Sequence, residues 1–247
     1  MSTFIRRFLA LGCAGVSLFM FFVYITRQFF MPASTMHLSM SIIAGASLLG
    51  ALAWMRWGGK QERPALMHSL LLVTRFFLAY MFFFYALAKV FKLQFGAPPE
   101  ILKQPAGELD GFWKAWVFFG HSQAYGLMIA ISQMIAALLL LFRRTLTTGL
   151  LIYLFLLGNI VALTFSYNVV AMQELSVVLV LMCLFLLSFD IQRVWRFLTG
   201  EPAGGTLMPE VPRTYGRISF ACIAVLLGAC VTIDGFFYYR IAQQAGL

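Results

Sequence analysis

ALMHSLLLVTRFFLAYMFFFYALA, residues 65–88, is the stretch that decides the fold class of this chain. It contains no acidic side chain, and Arg75 carries its single formal charge. A helix needs about 20 predominantly apolar residues to cross the hydrocarbon core of a bilayer. The stretch is therefore long enough for a transmembrane helix. Arg75 is costly there unless it has a partner inside the protein or reaches the membrane interface, and the sequence leaves both open.

The rest of the chain has the same character. Of 247 residues, 62% are hydrophobic and 11% are charged, whereas about a quarter of the residues of a soluble domain are charged. The pattern predicts an all-α fold, a polytopic membrane helical bundle. Its seven apolar runs cover residues 8–25, 36–55, 66–88, 123–142, 146–167, 175–189 and 218–238.

The basic residues predict a topology. They lie near the ends of the runs and form no concentrated patch, so the net charge of +9 does not indicate nucleic acid. The larger set marks the side predicted to be cytoplasmic: Arg6, Arg7, Arg56, Lys60, Arg63, Arg143, Arg144, Arg193, Arg196, Arg213 and Arg217. The other side holds Arg27, Lys89, Lys92, Lys103, Lys114 and Arg240. The N terminus is then inside and the C terminus outside, and the first run is expected to be a retained helix.

The connections between runs suggest three segments. Residues 143–145 make so tight a turn that the helices on either side must be antiparallel neighbours. The outer loop 89–114 is long enough to be functional, although it could equally be a connector. We expect two helices in residues 1–64, a four-helix core in 65–198, and a Pro- and Gly-rich linker with a last helix in 199–247.

Polar side chains inside the core mark a candidate site. These side chains could line an outward-opening cavity, with Lys89 and Glu174 neutralising each other and Gln133 as the first candidate partner for Arg75. The same side chains could instead hold helices together by hydrogen bonding. The candidate ligand-binding residues are Arg75, Lys89, Gln123, Gln133, Asn159, Tyr167, Asn168 and Glu174.

Motifs for catalysis are lacking in the sequence. The four cysteines lie within apolar runs and form no C-x-x-C pair, which is evidence against a thiol–disulfide carrier. The three histidines have no acidic cluster at metal-ligand spacing, so no metal site is expected. There is no phosphate-binding loop or nucleophile elbow, and no residue can be assigned a catalytic role.

Three stretches resemble DoxX-like membrane proteins. They are residues 75–89, the run WVFFGHSQAY at 116–125 and LLLLFRRT at 138–145, and the resemblance covers about residues 66–197. It implies a four-helix core with extra helices. Those relatives often carry Glu at the position of Gln133, and Tyr-Asp-Val-Pro-Val-Lys where this chain has YNVVAM at 167–172. Losing two acids and a lysine weakens any proton-transfer role implied by the family.

The resemblance also suggests a function. It implies a non-catalytic membrane subunit or partner-binding protein, serving a quinone-linked redox or sulfur-handling assembly in a bacterial inner membrane. A small-molecule carrier or membrane chaperone using the polar cavity is a second hypothesis, and a quinone- or lipid-modifying enzyme is a third. The expected partners are membrane lipid and a protein partner or second copy, and quinone is the one cofactor suggested.

Overall fold

The computed structural model describes residues 3–25, 33–57, 63–201 and 211–244, and within these it contains helices and no strand. Arg27, Lys60 and most of the predicted linker lie outside the described residues. The prediction of an all-α chain is confirmed. The helices are α1 (Thr3–Ile25), α2 (Ala33–Trp57), α3 (Pro64–Val90), α4 (Pro99–Leu102), α5 (Gly111–His121), α6 (Gln123–Leu141), α7 (Leu146–Ser166), α8 (Val170–Leu187), α9 (Ile191–Thr199) and α10 (Arg213–Gln244).

Five of these helices, namely α1, α3, α6, α7 and α10, are long and apolar enough to cross a membrane. The chain is therefore a multi-pass membrane protein. The apolar parts of α2 and α8, Ser41–Arg56 and Met172–Leu187, are each shorter than 18 residues. A total of seven spans remains a prediction.

The described residues form two compact units, and the first contains residues 1–77 and 188–226. In it α1 packs against α2. The Arg7 guanidinium lies 4.9 Å from the centre of the Trp54 ring. Near their N-terminal ends α3 and α10 are in contact, and the hydroxyls of Ser69 and Tyr215 lie 2.7 Å apart. The predicted three-segment division of the chain stays a prediction.

The second unit contains residues 78–187 and 227–247. In it α6, α7 and α8 pack in sequence order. The α6–α7 contact confirms that the tight turn at 143–145 joins antiparallel neighbours. Gly149 permits this contact, because a Cβ there would lie 3.0 Å from the Leu139 side chain. On the α3 side, the Tyr153 hydroxyl donates to the Leu78 carbonyl at 3.0 Å, and the Tyr153 ring stacks on Phe82 at 3.5 Å.

The loop expected at 89–114 is less irregular than its composition suggested, because α5 begins within it. Asp110 starts this helix by accepting a hydrogen bond from the Trp113 backbone N–H at 2.8 Å. Gly111 and Gly120, at the two ends of α5, lie directly against other backbone. A Cβ at Gly111 would come 2.8 Å from the Tyr167 carbonyl oxygen, and one at Gly120 would overlap that of Phe95. The helix therefore docks closely on the chain segments that follow α3 and α7.

Candidate ligand-binding cavity

A cavity of about 560 Å³ lies inside the second unit. Its walls come from the C-terminal half of α3, the turn after it, and α5 to α8. The lining is mostly aromatic and aliphatic, with a small polar group at one end. The lining residues are Phe82, Tyr85, Lys89, Gln94, Phe95, Trp116, Phe119, Tyr125, Met128, Ile129, Ser132, Gln133, Phe155, Leu156, Leu157, Asn159, Ile160, Leu163, Thr164, Val169, Met172, Leu175, Ser176 and Leu179.

Lys89 is the centre of the polar group. It occupies the last turn of α3, and helical side chains point toward the N-terminal end of their helix, so its ammonium is directed back into the bundle. The side chain is only 8% exposed. Its Nζ donates to Gln94 Oε1 at 2.8 Å, to Gln133 Oε1 at 3.0 Å and to the Tyr85 carbonyl at 3.2 Å. These three acceptors match the three N–H donors of an ammonium group.

The turn that ends α3 brings Gln94 to this position. Lys92 is left-handed, with φ of 55°, and the Leu93 and Lys92 N–H groups donate to the carbonyls of Ala88 and Lys89. This is the Schellman arrangement that closes many helices. It reverses the chain, so Gln94 faces Lys89 although it is only five residues ahead.

The hydrogen bonds from Lys89 also fix which way both glutamine amides point. An ammonium can only donate, so the atoms facing it must be the carbonyl oxygens. The amide nitrogens of Gln94 and Gln133 are therefore turned away from Lys89. Neither nitrogen has a hydrogen-bond partner among the described residues, and Gln133 is 2% exposed. Both glutamines line the cavity beside the positive charge of Lys89.

Aromatic rings enclose the end of the cavity near Gln94. Phe95 contacts both Trp116 and Phe119, with ring centres 5.1 and 5.2 Å apart. Phe119 stacks on Tyr125 at 5.9 Å. Phe95 itself has a left-handed backbone, with φ of 69°, which is unusual for an aromatic residue. Its place against α5 therefore depends on the close approach at Gly120.

One side of the cavity is open between α6 and α7. Met128 and Phe155 both line the cavity and are 56% and 72% exposed. Asn159, one turn beyond Phe155, is exposed at the same opening and donates to the Phe155 carbonyl at 3.0 Å. Both helices are long and apolar enough to cross the membrane. The opening therefore lies along membrane-spanning surface.

Three of the predicted site residues, Lys89, Gln133 and Asn159, line this cavity. The predicted ion pair between Lys89 and Glu174 is wrong. Glu174 is exposed, and the partners of Lys89 are two amides and a backbone carbonyl. Gln133, the first candidate partner of Arg75, accepts a hydrogen bond from Lys89, and its pairing with Arg75 stays a prediction. The amide can reach Lys89 because the lysine side chain points down the helix.

The other predicted residues lie outside the lining. Gln123 and Tyr167 are exposed at the ends of α6 and α7. Asn168, with φ of 51°, is the left-handed residue of a second Schellman turn, in which the Val169 N–H donates to the Thr164 carbonyl at 2.8 Å. The position of Asn168 is explained by the backbone of this turn.

Arg75 belongs to the first unit and does not line the cavity. Its side chain is 7% exposed, and its guanidinium carbon lies 5.2 Å from the centre of the neighbouring Phe76 ring. The arginine that stands out in the sequence is thus covered by protein and is not one of the lining residues.

Several polar residues of the second unit were missed from the sequence. Gln94 lies in an apparently irregular loop and could only be recognised once the turn after α3 was known. Thr164 and Ser176 are buried, with hydroxyls 3.5 Å apart at the cavity wall. Elsewhere in the unit the Tyr80 hydroxyl donates to the buried carboxylate of Asp234 at 2.7 Å. The sequence signal for this contact was the presence of an acidic residue, Asp234, within the predicted run 218–238.

The described lining combines a few polar groups with apolar walls. Among the residues that the structure describes, no Asp, Glu, His or Cys lines the cavity, and Lys89 is the only Lys or Arg that does. This set contains no cluster of metal ligands, and its side chains that can donate or accept a proton are Lys89, Tyr85 and Tyr125. It supplies hydrogen-bond donors, one cation and a large apolar surface.

Comparison with known proteins gives one informative similarity. The chain is 38% identical over 144 residues to "Uncharacterized protein YwoB" of Bacillus subtilis (strain 168). The match covers 58% of this chain and 92% of that protein. No protein-family model matches the chain, and no solved structure matches it.

Proposed function

This chain belongs to the same family as the Bacillus subtilis protein YwoB, and we propose that it is a non-catalytic membrane protein that binds a lipid-soluble molecule. The ligand occupies the cavity between α3 and α5 to α8. Its head accepts hydrogen bonds at the Lys89 end, and its apolar body lies against the aromatic and aliphatic walls.

The observation that carries this proposal is the arrangement around Lys89. A buried ammonium costs free energy unless its donors are satisfied, and here three oxygen acceptors hold it in place. The same bonds turn two amide groups so that their N–H donors face away from the lysine. A carbonyl, carboxylate or phosphate oxygen is the group that such an end would bind.

The opening between α6 and α7 supports a ligand with an apolar tail. Met128 and Phe155 place exposed apolar surface at the mouth of the cavity, on helices that can span the membrane. A tail leaving through this mouth would remain in hydrocarbon, so the ligand need not leave the bilayer to bind. Quinones, with carbonyl heads and isoprenoid tails, fit this class, as do single-chain lipids with an acceptor head.

The sequence patterns support a wider setting for this ligand-binding role. We propose that α3, α6, α7 and α8 form the DoxX-like core in a bacterial inner membrane, with the N terminus cytoplasmic and the C terminus outside. The protein then serves as the ligand-binding subunit of a quinone-linked or sulfur-handling assembly, in which a partner carries the chemistry. Under this orientation the cavity opens toward the outer leaflet.

The test is ligand capture by the purified full-length protein in mild detergent. Co-purified lipid-soluble molecules are extracted and identified by mass spectrometry, and decyl-benzoquinone is titrated in while tryptophan fluorescence is followed. We expect binding by the natural chain. Ser132→Phe narrows the open side and Gln133→Leu removes an amide donor, so each should weaken quinone binding about tenfold or more.

A matched control is Leu138→Phe, which adds the same ring on α6 at an exposed position outside the lining. It should leave binding unchanged. Equal binding by Ser132→Phe, Gln133→Leu and the control would contradict the proposed cavity. Affinity purification of the same variants would show separately whether a protein partner is retained when ligand binding is lost.

A further inference from the structure

Helix α9, with the sequence IQRVWRFLT at Ile191–Thr199, is the most strongly amphipathic of the longer helices that the structure describes. At 3.6 residues per turn, Ile191, Trp195 and Leu198 fall on one face, at positions i, i+4 and i+7. Arg193 and Arg196 lie on the opposite side. The helix is too short to cross a membrane, which takes about 20 residues.

The apolar face of α9 is turned outward from the protein. Ile191, Trp195 and Leu198 are 51%, 65% and 71% exposed. In water such a face would be unfavourable, since large apolar side chains gain free energy when removed from water. The chain is a membrane protein, so the bilayer is the apolar phase nearest to this face of α9.

Contacts within the first unit place α9 at the end of a membrane-spanning helix. Phe189 lies two residues before α9. The guanidinium carbon of Arg6 is 5.6 Å from the centre of the Phe189 ring. Arg6 is in the first turn of α1, which can span the membrane from Thr3 to Val23. The N-terminal end of α9 is therefore close to the level where hydrocarbon gives way to headgroups.

The charge on α9 and around it is complementary to an anionic surface. Arg193 is half-buried and Arg196 is exposed. Glu201 is 4.0 Å from Arg196, but both side chains are about half exposed and such pairs are weak. Further basic residues stand at the described ends of the helices of this unit, at Arg56, Arg63, Arg213 and Arg217. The described acids of the unit are Asp190 and Glu201.

We propose that α9 lies in the membrane interface with Ile191, Trp195 and Leu198 in the acyl region, and that Arg193 and Arg196 select anionic phospholipid headgroups. The helix then anchors the first unit to the lipid surface independently of the cavity. Amphipathic helices with this distribution of apolar and basic residues bind bilayers in this way. Each arginine near an anionic surface strengthens the attraction about fivefold.

The test uses the full-length protein with an environment-sensitive fluorescent amino acid in place of Trp195. The protein is reconstituted into mixed vesicles of phosphatidylcholine and phosphatidylglycerol, with bromine on the acyl chains of one lipid or the other. We expect both lipids to quench the label, and brominated phosphatidylglycerol to quench about threefold more per molecule. The same label at Gln192, on the polar side, should be quenched less.

Charge variants complete the design. Replacing Arg193 and Arg196 together by Gln should abolish the preference for phosphatidylglycerol. Replacing both by Lys keeps the positive charge and should preserve the preference. Lys103→Gln with Lys114→Gln removes the same charge outside α9 and should change nothing. Absence of quenching at position 195 would overturn the proposal and indicate that protein covers α9. Equal quenching by both lipids would overturn the selection of anionic lipid.

Discussion

The hydrogen bond between Lys89 and Gln133 should make a measurable contribution to the stability of the second unit. Gln133→Leu removes one of three acceptors from an ammonium that is 8% exposed, while keeping a side chain of similar size. A hydrogen bond to a charged group contributes about 1.5–3 kcal/mol, and solvent can replace little of it at this site. We expect Gln133→Leu to lower the free energy of unfolding by about 2 kcal/mol.

A double-mutant cycle separates this bond from general packing. Lys89→Met leaves two amide oxygens without their donor and should also destabilise the protein, by about 1–3 kcal/mol. In the double variant the charge and its acceptor are both gone, so the loss should be smaller than the sum. The coupling free energy should be about 1–2 kcal/mol. The measurement is reversible unfolding by dodecyl sulfate in mixed micelles, followed by far-ultraviolet circular dichroism.

Gln123→Leu is the control, because it makes the same substitution at an exposed position on the same helix. Its effect should stay within about 0.5 kcal/mol. A loss of stability in Gln133→Leu no larger than that of this control would contradict the expected contribution of the hydrogen bond. So would two cavity substitutions whose effects add within about 0.5 kcal/mol, since independent sites behave in that way.

Three further substitutions test other parts of the unit by the same unfolding assay. Gly120→Ala should destabilise the protein by about 1–3 kcal/mol, because the added Cβ overlaps the Phe95 carbonyl. Gly126→Ala should be neutral or stabilising, because no neighbouring atom lies within 4 Å of its added Cβ. Equal effects of the two substitutions would contradict the docking of α5. Asn168→Gly should leave the free energy of unfolding and quinone binding unchanged, because glycine adopts a left-handed backbone easily. Asn168→Val should lower the free energy of unfolding by about 1 kcal/mol or more, the strain of a β-branched residue in that conformation. Tyr153→Phe should cost about 1 kcal/mol, and no loss would mean that its hydroxyl bond to α3 contributes nothing.

Helix existence and length could be predicted from the sequence wherever apolar runs were long. The predicted runs at 66–88, 123–142 and 146–167 correspond closely to Pro64–Val90, Gln123–Leu141 and Leu146–Ser166. Bilayer thickness imposes a minimum length, and charged residues mark the ends, so both signals are local in the chain. The helix at Gly111–His121 was missed because its start depends on the Asp110 cap within a loop-like composition.

Composition and spacing alone thus determined that the chain is a helical multi-pass membrane protein, because the cost of exposing backbone and charge to hydrocarbon acts residue by residue. They also marked Lys89, Gln133 and Asn159 as polar residues in an apolar core. Only the tertiary structure decided which of the marked residues meet. Helix rotation, the reversal after α3 and the downward direction of a lysine side chain bring Lys89 to Gln133 and Gln94. Those contacts join residues from separate segments, and no local pattern specifies them.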